Sequence, residues 1–486
     1  MAKFTFYGGA GEIGGNKILL EDGGAKVYLD FGQSFDFASD FFLPEKFLEP
    51  RGADGLAPYF DLDLLPKLRG LYSKSMLKHS RLGYEKPDVD AVFITHHHSD
   101  HCGHLQFIDE SIPVHMGHGT HAIMDAYSHL YPSFGKYGEH DIKEFKSGDR
   151  ISVKNLTFRP IHVEHSTPGA YAYIIEGEEG NMVYSGDLRL HGQAAEMTEE
   201  FILEAKKSKP HVMLCEGTRM PIEGEPDERN LTEDGVKEIV TEIIKDSKGL
   251  VFAHFAMSNI DRFKSVWEAA CEQGRKLVVD PRYAYLLDVM REKIGWVPDP
   301  REKLCLYYRL NSEGEWDERA YDSVWREYYG EQLGEECYKI DKNGKKSRKP
   351  DTWRCEKEMS KNNVTYKQIK DKPEDYVMFI NFTKLVELAH IKPEKADYIY
   401  SSSEHFLEGE ENRKMKTVME NWLKHYNIKL HKAHCSGHAA RGDIEKMIKS
   451  IKPEILIPIH TQNPEEFKKI HDKVMIPEKG KTINLK

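Results

Sequence analysis

The ten residues Thr95-His96-His97-His98-Ser99-Asp100-His101-Cys102-Gly103-His104 bring together five imidazoles and one carboxylate, spaced His-x-His-x-Asp-His. Imidazole nitrogen and carboxylate oxygen in one site suit zinc or manganese better than magnesium, which prefers all-oxygen shells. A His-rich surface loop or a tag-like run is the competing reading. Tags, however, sit at termini and rarely embed an Asp-His pair behind a strand. Here the preceding Asp90-Ala91-Val92-Phe93-Ile94-Thr95 is a β-branched and apolar run that predicts a short buried strand. Such a strand delivers His96, His98, Asp100 and His101 into the loop at its end, aiming several ligands into one small volume.

Three later segments repeat this pattern of a strand ending on ligand chemistry. Leu156-Thr157-Phe158-Arg159-Pro160-Ile161 leads into His162-Val163-Glu164-His165, Asn181-Met182-Val183-Tyr184-Ser185-Gly186 ends on Asp187, and Glu454-Ile455-Leu456-Ile457-Pro458-Ile459 ends on His460. Taken singly, each is an ordinary residue at a strand end. In this order and with this chemistry the four motifs resemble the metallo-β-lactamase superfamily. The resemblance implies an α/β fold, the αββα sandwich, whereas periodicity alone establishes only a mixed α and β domain. It also implies His165, Asp187 and His460 as further ligands, with His162 as a neighbour. Two divalent ions are then expected, zinc with manganese as the alternative. One would lie on His96, His98 and His165, the second on Asp100, His101 and His460, with Asp187 bridging.

The opening Gly9-Ala10-Gly11-Glu12-Ile13-Gly14 reads Gly-x-Gly-x-x-Gly, but a dinucleotide fingerprint needs a helix to follow. Instead Asn16–Glu21 and Ala25–Asp30 read as successive strands, so the glycines predict a tight loop. This opening resembles the start of ribonuclease J-like proteins, where such a loop lies beside the metal site and Asp30 is a supporting acid. The stretch from Phe35 to Asp88 is irregular and reads as a lid or peripheral packing.

The long gap between Asp187 and His460 leaves room for a second domain, in which helix-like and strand-like segments alternate. The arrangement resembles the β-CASP branch: Glu216, His438 and His460 match its three signature positions. The expected domains are 1–215 and 435–486 for the two parts of the sandwich and 216–434 for the insertion. From about Asp299 to Lys372 the chain departs from the pattern. That stretch holds Trp316, Trp325, Tyr328, Tyr329 and the basic run Lys342–Lys349, read as a solvated hairpin tip in preference to an RNA-contacting element. The chain also stops soon after Leu485, without the further carboxy-terminal domain common in bacterial ribonuclease J, which leaves assembly open.

Phosphodiester cleavage needs a strong nucleophile at neutral pH and stabilisation of charge at phosphorus. Two ions roughly 3.5–4 Å apart would provide both. The catalytic candidates are Asp100, which could also orient the nucleophile, His438, which would contact the scissile phosphate and protonate the leaving oxygen, and Glu216, which would position ligand histidines. Substrate contacts are expected from His434, Cys435, Ser436, Gly437 and His438, and from Ser258 and Asn259. The resemblance implies a ribonuclease on single-stranded RNA, 5′-to-3′ with internal cleavage as a second mode. A DNA nuclease on the same scaffold is disfavoured by His460, since members acting on RNA carry His there. A catalytically silent RNA-binding scaffold would have lost ligands, and none is lost.

Composition fits this reading. The chain has 486 residues, enough for two cores, with 31% charged residues. Mean hydropathy is -0.62, and no apolar run is long enough to span a bilayer. The N-terminus goes directly into a strand pattern with no signal-like segment. Seven cysteines without a Cys-x-x-Cys pair argue against a disulfide framework and fit a reducing cytoplasm. A net charge of -11 means that nucleic-acid binding must rest on metal ions and local basic surface. A homodimer is the assembly to be tested.

Overall fold

A computed structural model describes residues 2–35, 54–131, 137–221, 231–308, 338–340, 346–348, 362–403, 407 and 410–485. The chain divides into two units: Met1–Asn230 with Ser436–Lys486, and Leu231–Cys435.

The first unit is built on two sheets. One has seven strands, in the order Thr482–Asn484, Lys3–Gly8, Lys17–Asp22, Ala25–Leu29, Ala91–Ile94, Val114–Gly117 and Ile142–Phe145. The other has six, in the order Ile455–Ile459, Val212–Glu216, Gly180–Tyr184, Tyr171–Gly177, Leu156–His162 and Ile151–Val153. The twofold alternation of side chains along each strand assigns its residues to opposite faces. Phe4, Phe6, Leu20 and Phe93 of the first sheet share one buried cluster with Phe158, Tyr173, Leu214 and Ile457 of the second. The neighbouring residues Val92 and Ile94 face the other way, into a cluster with Tyr59, Phe60, Leu105 and Met124. Met213 and Cys215 likewise pack with Phe201 and Ala205 of the helix Ala195–Ser208 and with Ile444, Met447 and Ile448 of the helix Arg441–Ile451. Both sheets are therefore covered on both faces, which is why Ala91–Ile94 and Val212–Glu216 are buried at every position. The fold is the αββα sandwich that the motif order implied. Within the Phe35–Asp88 stretch, Leu56, Tyr59, Phe60 and Leu65 are buried in the second of these clusters.

The second unit is a seven-stranded sheet, parallel throughout, in the order Asn363–Thr365, Cys305–Tyr308, Lys276–Val279, Tyr376–Phe379, Leu250–His254, Ala396–Tyr400 and Lys429–Lys432. Helices start on side chains that accept from otherwise unpaired backbone N–H groups: Asn259 caps Ile260–Glu272 and Asp280 caps Pro281–Lys293. Arg262 is fully buried and donates to Glu233 at 2.7 Å, to the Ser401 carbonyl at 2.7 Å and to the Cys435 carbonyl at 3.4 Å. Tyr338–Ile340 and Lys346–Arg348 pair antiparallel. Trp316, Trp325, Tyr328, Tyr329 and most of Lys342–Lys349 lie outside the described residues.

Phe93 joins the two sheets of the first unit: its ring stacks on Phe158 at 3.8 Å and meets Tyr173 edge-on at 5.6 Å. Phe93→Ala should destabilise this unit by about 3–5 kcal/mol through lost burial and the cavity left behind. A denaturant midpoint unchanged from the parent would contradict that central role.

Candidate metal centre

Parallel pairing fixes where the ligand-bearing loops emerge. Gly180–Tyr184, Val212–Glu216 and Ile455–Ile459 run parallel in register, so Asp187, Glu216 and His460 leave the sheet at one edge. His165 follows the strand Leu156–His162 in the same sheet, while His96 to His101 follow Ala91–Ile94 in the facing one, with Ser99–Cys102 as a short helical turn. Asp30 and His460 both adopt left-handed backbone, with φ of 57° and 50°, an uncommon conformation outside glycine that turns the chain sharply at a strand end.

The donor atoms converge in two adjoining sets, His96, His98 and His165, and Asp100, His101, Asp187 and His460, each with its donor atoms within 4.8 Å of one another. His98 Nδ1 lies 3.0 Å from His96 Nε2 and 3.2 Å from His165 Nε2. His460 Nε2 lies 3.0 Å from Asp100 Oδ2. Asp187 Oδ2 stands between the sets, 3.1 Å from His101 Nε2, 3.7 Å from His460 Nε2, 3.8 Å from His96 Nε2 and 4.0 Å from His165 Nε2.

The tautomers implied by the outer partners explain what such a cluster requires. His165 Nδ1 faces the Gly437 carbonyl at 2.6 Å, which can only accept, so the proton sits on Nδ1 and the inner Nε2 carries a lone pair. His101 Nδ1 meets the Asp30 carboxylate at 2.8 Å, which sets the same arrangement. Asp187 Oδ1 is buried with no hydrogen-bond partner among the described residues. Lone pairs of imidazole and carboxylate thus face one another in a dry interior, an arrangement that needs cations, and this donor set fits divalent metal ions. Burial, followed by neighbouring imidazoles, holds His96 and His165 well below the usual imidazole range. Burial likewise brings His98 down to about 4, so the ring is neutral and able to ligate at pH 7. For Asp100, burial pushes upward, but His101 and His460 prevail and bring the carboxyl to about 2.

His438 borders the cluster, and its side chain keeps 21% of its surface exposed. Its Nδ1 lies 3.2 Å from Glu216 Oε2 and 3.8 Å from Asp187 Oδ2. Asp187, Glu216, His438 and His460 form a third donor set. Glu216, however, already accepts backbone N–H groups from Leu188 at 3.0 Å and Thr218 at 3.2 Å. Glu216 thus holds His438, the backbone beside Asp187 and the backbone of Thr218, the residue whose hydroxyl meets His460 Nδ1.

The other expected substrate contacts are also engaged. The Ser436 carbonyl accepts from His191 at 2.9 Å, and its hydroxyl accepts from the His438 N–H at 3.1 Å. Gly437 lacks a side chain because a Cβ there would press on Ser166 Oγ at 2.7 Å and His165 Cε1 at 3.0 Å, a reason distinct from approach to a phosphate. Asn259 Oδ1 is occupied by the Arg262 N–H, and Ser258 is buried just before that helix. His434 and Cys435 belong to the second unit, beside Arg262. His162 lies apart from the donor sets, stacked on Tyr171.

Three supporting residues escaped the reading of the sequence. Thr218 Oγ1 meets His460 Nδ1 at 2.7 Å, Tyr184 donates to Asp30 at 2.6 Å, and Asn16 donates to Tyr184 at 3.2 Å. For Thr218 a signal existed, since it follows Glu216 by two positions at the same strand end. The glycine loop supports the centre through its backbone. The Gly9 carbonyl accepts from His460 N and the Asp100 carbonyl accepts from Asn16 N. Gly14, at φ 79°, has no room for a Cβ, which would lie 2.8 Å from Asp100 Cβ.

Residues 58–221 match the beta-lactamase superfamily domain, and residues 425–469 match the Zn-dependent metallo-hydrolase RNA specificity domain. Ribonuclease J of Sinorhizobium meliloti is 30% identical over 218 residues, 43% of this chain and 37% of that protein. Ribonuclease J of Helicobacter pylori strain J99 is 22% identical over 94% of this chain and 55% of its own length. That of Methanocaldococcus jannaschii is 23% identical over 93% and 90%. The chain thus spans about half or less of several curated relatives it matches. A crystal structure of an Enterococcus faecalis V583 protein of unknown function superposes with a TM-score of 0.73 at 22% identity, covering 100% of both chains, which supports the fold.

His98→Ala, Asp187→Ala and His460→Ala should each lower bound metal while leaving the fold largely intact. Elemental analysis showing full occupancy in the Asp187 variant would remove that residue from the centre. Thr218→Val should weaken metal binding or activity by about 10–100-fold, the usual cost of losing a group that orients a ligand. Parent-like metal affinity together with parent-like turnover would make the Thr218 contact incidental.

Proposed function

Because this chain is a metallo-β-lactamase-superfamily protein of the β-CASP, ribonuclease J-like type, we propose that it is a metal-dependent ribonuclease. It would hydrolyse phosphodiester bonds of single-stranded RNA, 5′-to-3′ with internal cleavage as a second mode. The observation that carries the proposal is the buried double donor set bridged by Asp187 and bordered by the partly exposed His438. RNA is favoured over DNA by the match of residues 425–469 to an RNA specificity domain and by His460 at the last motif.

The first ion is assigned to His96, His98 and His165, the second to Asp100, His101 and His460, with Asp187 shared. Zinc is the expected metal and manganese the alternative. Bound ions would polarise the phosphoryl oxygens and activate a water. The remaining work falls to the chain. Glu216 accepts from His438 Nδ1–H, which leaves Nε2–H for a substrate oxygen. Burial opposes a charged ring, but Glu216 and then Asp187 prevail and raise His438 to about 9, and the Glu216 contact orients the ring for a general-acid role. Asp30, Thr218 and the Gly437 carbonyl hold the outer nitrogens of His101, His460 and His165, so the ligands need no reorganisation during turnover.

The proposal places the protein in the cytoplasm, in keeping with Cys102, Cys215, Cys271 and Cys305, which form no disulfide among the described residues. Among the described residues no helix is long and apolar enough to cross a membrane. It extends to a homodimer, which light scattering checks.

His438→Ala should cost roughly 10²–10⁴ in single-turnover cleavage of end-labelled RNA, with metal content unchanged. Normal cleavage by the variant would rule out the general-acid role, and loss of metal would make His438 a ligand. Equal rates on matched single-stranded DNA would sink the ribonuclease reading while leaving the metal centre intact.

A further inference from the structure

Lys17 begins the strand Lys17–Asp22 and is only 5% exposed, yet among the described residues its ammonium has no hydrogen bond or ion pair. Its recorded side-chain contact is with the face of Phe31, 5.7 Å from the ring centroid. A buried ammonium without a carboxylate partner is costly, and proteins normally pair such a charge. Lys17 lines a cavity of about 240 Å³ together with Tyr7, Glu12, Ser34, Lys67 and Lys479. Glu12 Oε1 is the acceptor closest to serving both cations, but it already meets Lys479 at 3.4 Å and the Gly9 N–H at 3.2 Å. Lys67 is matched by Asp63 at 2.6 Å. Burial, then the neighbouring Lys479, bring Lys17 to about 7 against the pull of Glu12. The lining therefore holds three lysines, Lys17, Lys67 and Lys479, against two acids, Glu12 and Asp63, with the hydroxyls of Tyr7 and Ser34 facing an apolar wall of Leu64, Leu65 and Pro66.

We infer that this cavity is an anion site, separate from the metal centre, that takes a phosphate monoester through Lys17 and Lys479. Charge-assisted donors match phosphate oxygens, and the apolar wall suits an organic substituent on the phosphate. The phosphate could arrive on a small molecule or on the end of an RNA, and the recognising chemistry is the same. The inference does not rest on the nuclease reading, since none of the lining residues belongs to the donor sets.

The test is calorimetric titration of the full, metal-loaded protein with inorganic phosphate, adenosine 5′-monophosphate and a 5′-phosphorylated oligoribonucleotide. Lys17→Met and Lys479→Glu are run in parallel. Any phosphate held at the metal centre is common to all three proteins, so the site appears as the difference between them. Both variants should lose one class of binding, with affinity down about 10-fold or more. Lys479 is solvent-facing, so its variant keeps the test valid if Lys17→Met folds poorly. A difference seen with adenosine 5′-monophosphate assigns a small-molecule source, and one seen with the oligonucleotide alone assigns an RNA end. Binding by both variants equal to the parent, a difference confined to inorganic phosphate, or no binding beyond the metal centre would overturn the inference.

Discussion

The Asp187 side chain is 1% exposed and stands within 4.0 Å of ring nitrogens from five histidines: His96, His101, His165, His438 and His460. An isolated carboxylate in such a place would cost several kcal/mol in lost hydration. Here the carboxyl is held well below its ordinary range: burial opposes ionisation, but His101, His460 and His438 outweigh it. The ligands come from both sheets, so the sandwich must close before the site exists.

Closing the sandwich is also what aims each ring. Three of the inner histidines are fixed from behind by groups that lie far from them in sequence, and a fourth, His96, meets its own chain neighbour. Asp30 holds His101, Gly437 holds His165, Thr218 holds His460 and Thr95 meets His96. Backbone contacts add to this, with Phe31 and Gln33 donating to the carbonyls of His101 and Ser99. A loop carrying this many donors would be disordered by its own polarity if it were not tied down in this way. The rigidity of the site is a property of the packed sheets and of the hydrogen bonds that cross between strand ends.

The second unit follows a different logic. Its sheet is parallel throughout, so its strands are joined by crossovers, and the helices Ile260–Glu272 and Pro281–Lys293 carry side-chain caps. The buried Arg262–Glu233 pair fastens the last residues of the unit through the Cys435 carbonyl. Immediately afterwards, Ser436 to His438 return the chain to the first unit, where the Arg441–Ile451 helix and the Ile455–Ile459 strand complete the sandwich.

The sequence by itself determined the candidate donor residues and the strands that carry them. The strands before His96, Asp187 and His460 were legible because buried parallel strands are short apolar runs, and the glycine loop was legible because no helix pattern follows it. The donor sets were legible because a ligand must be a particular residue type at a strand end. Only the tertiary structure decided what each supporting group serves. The oxygens of Glu216 face Leu188 N, Thr218 N and the His438 ring, so it reaches the ligand His460 through Thr218. Gly437 is glycine because His165 and Ser166 occupy the space of a side chain, and Asn259 caps a helix. Thr218, Tyr184 and Asn16 reach their partners across 242, 154 and 168 positions of chain. Such contacts leave no local pattern, because any hydroxyl or amide suits them and only packing brings the two ends together.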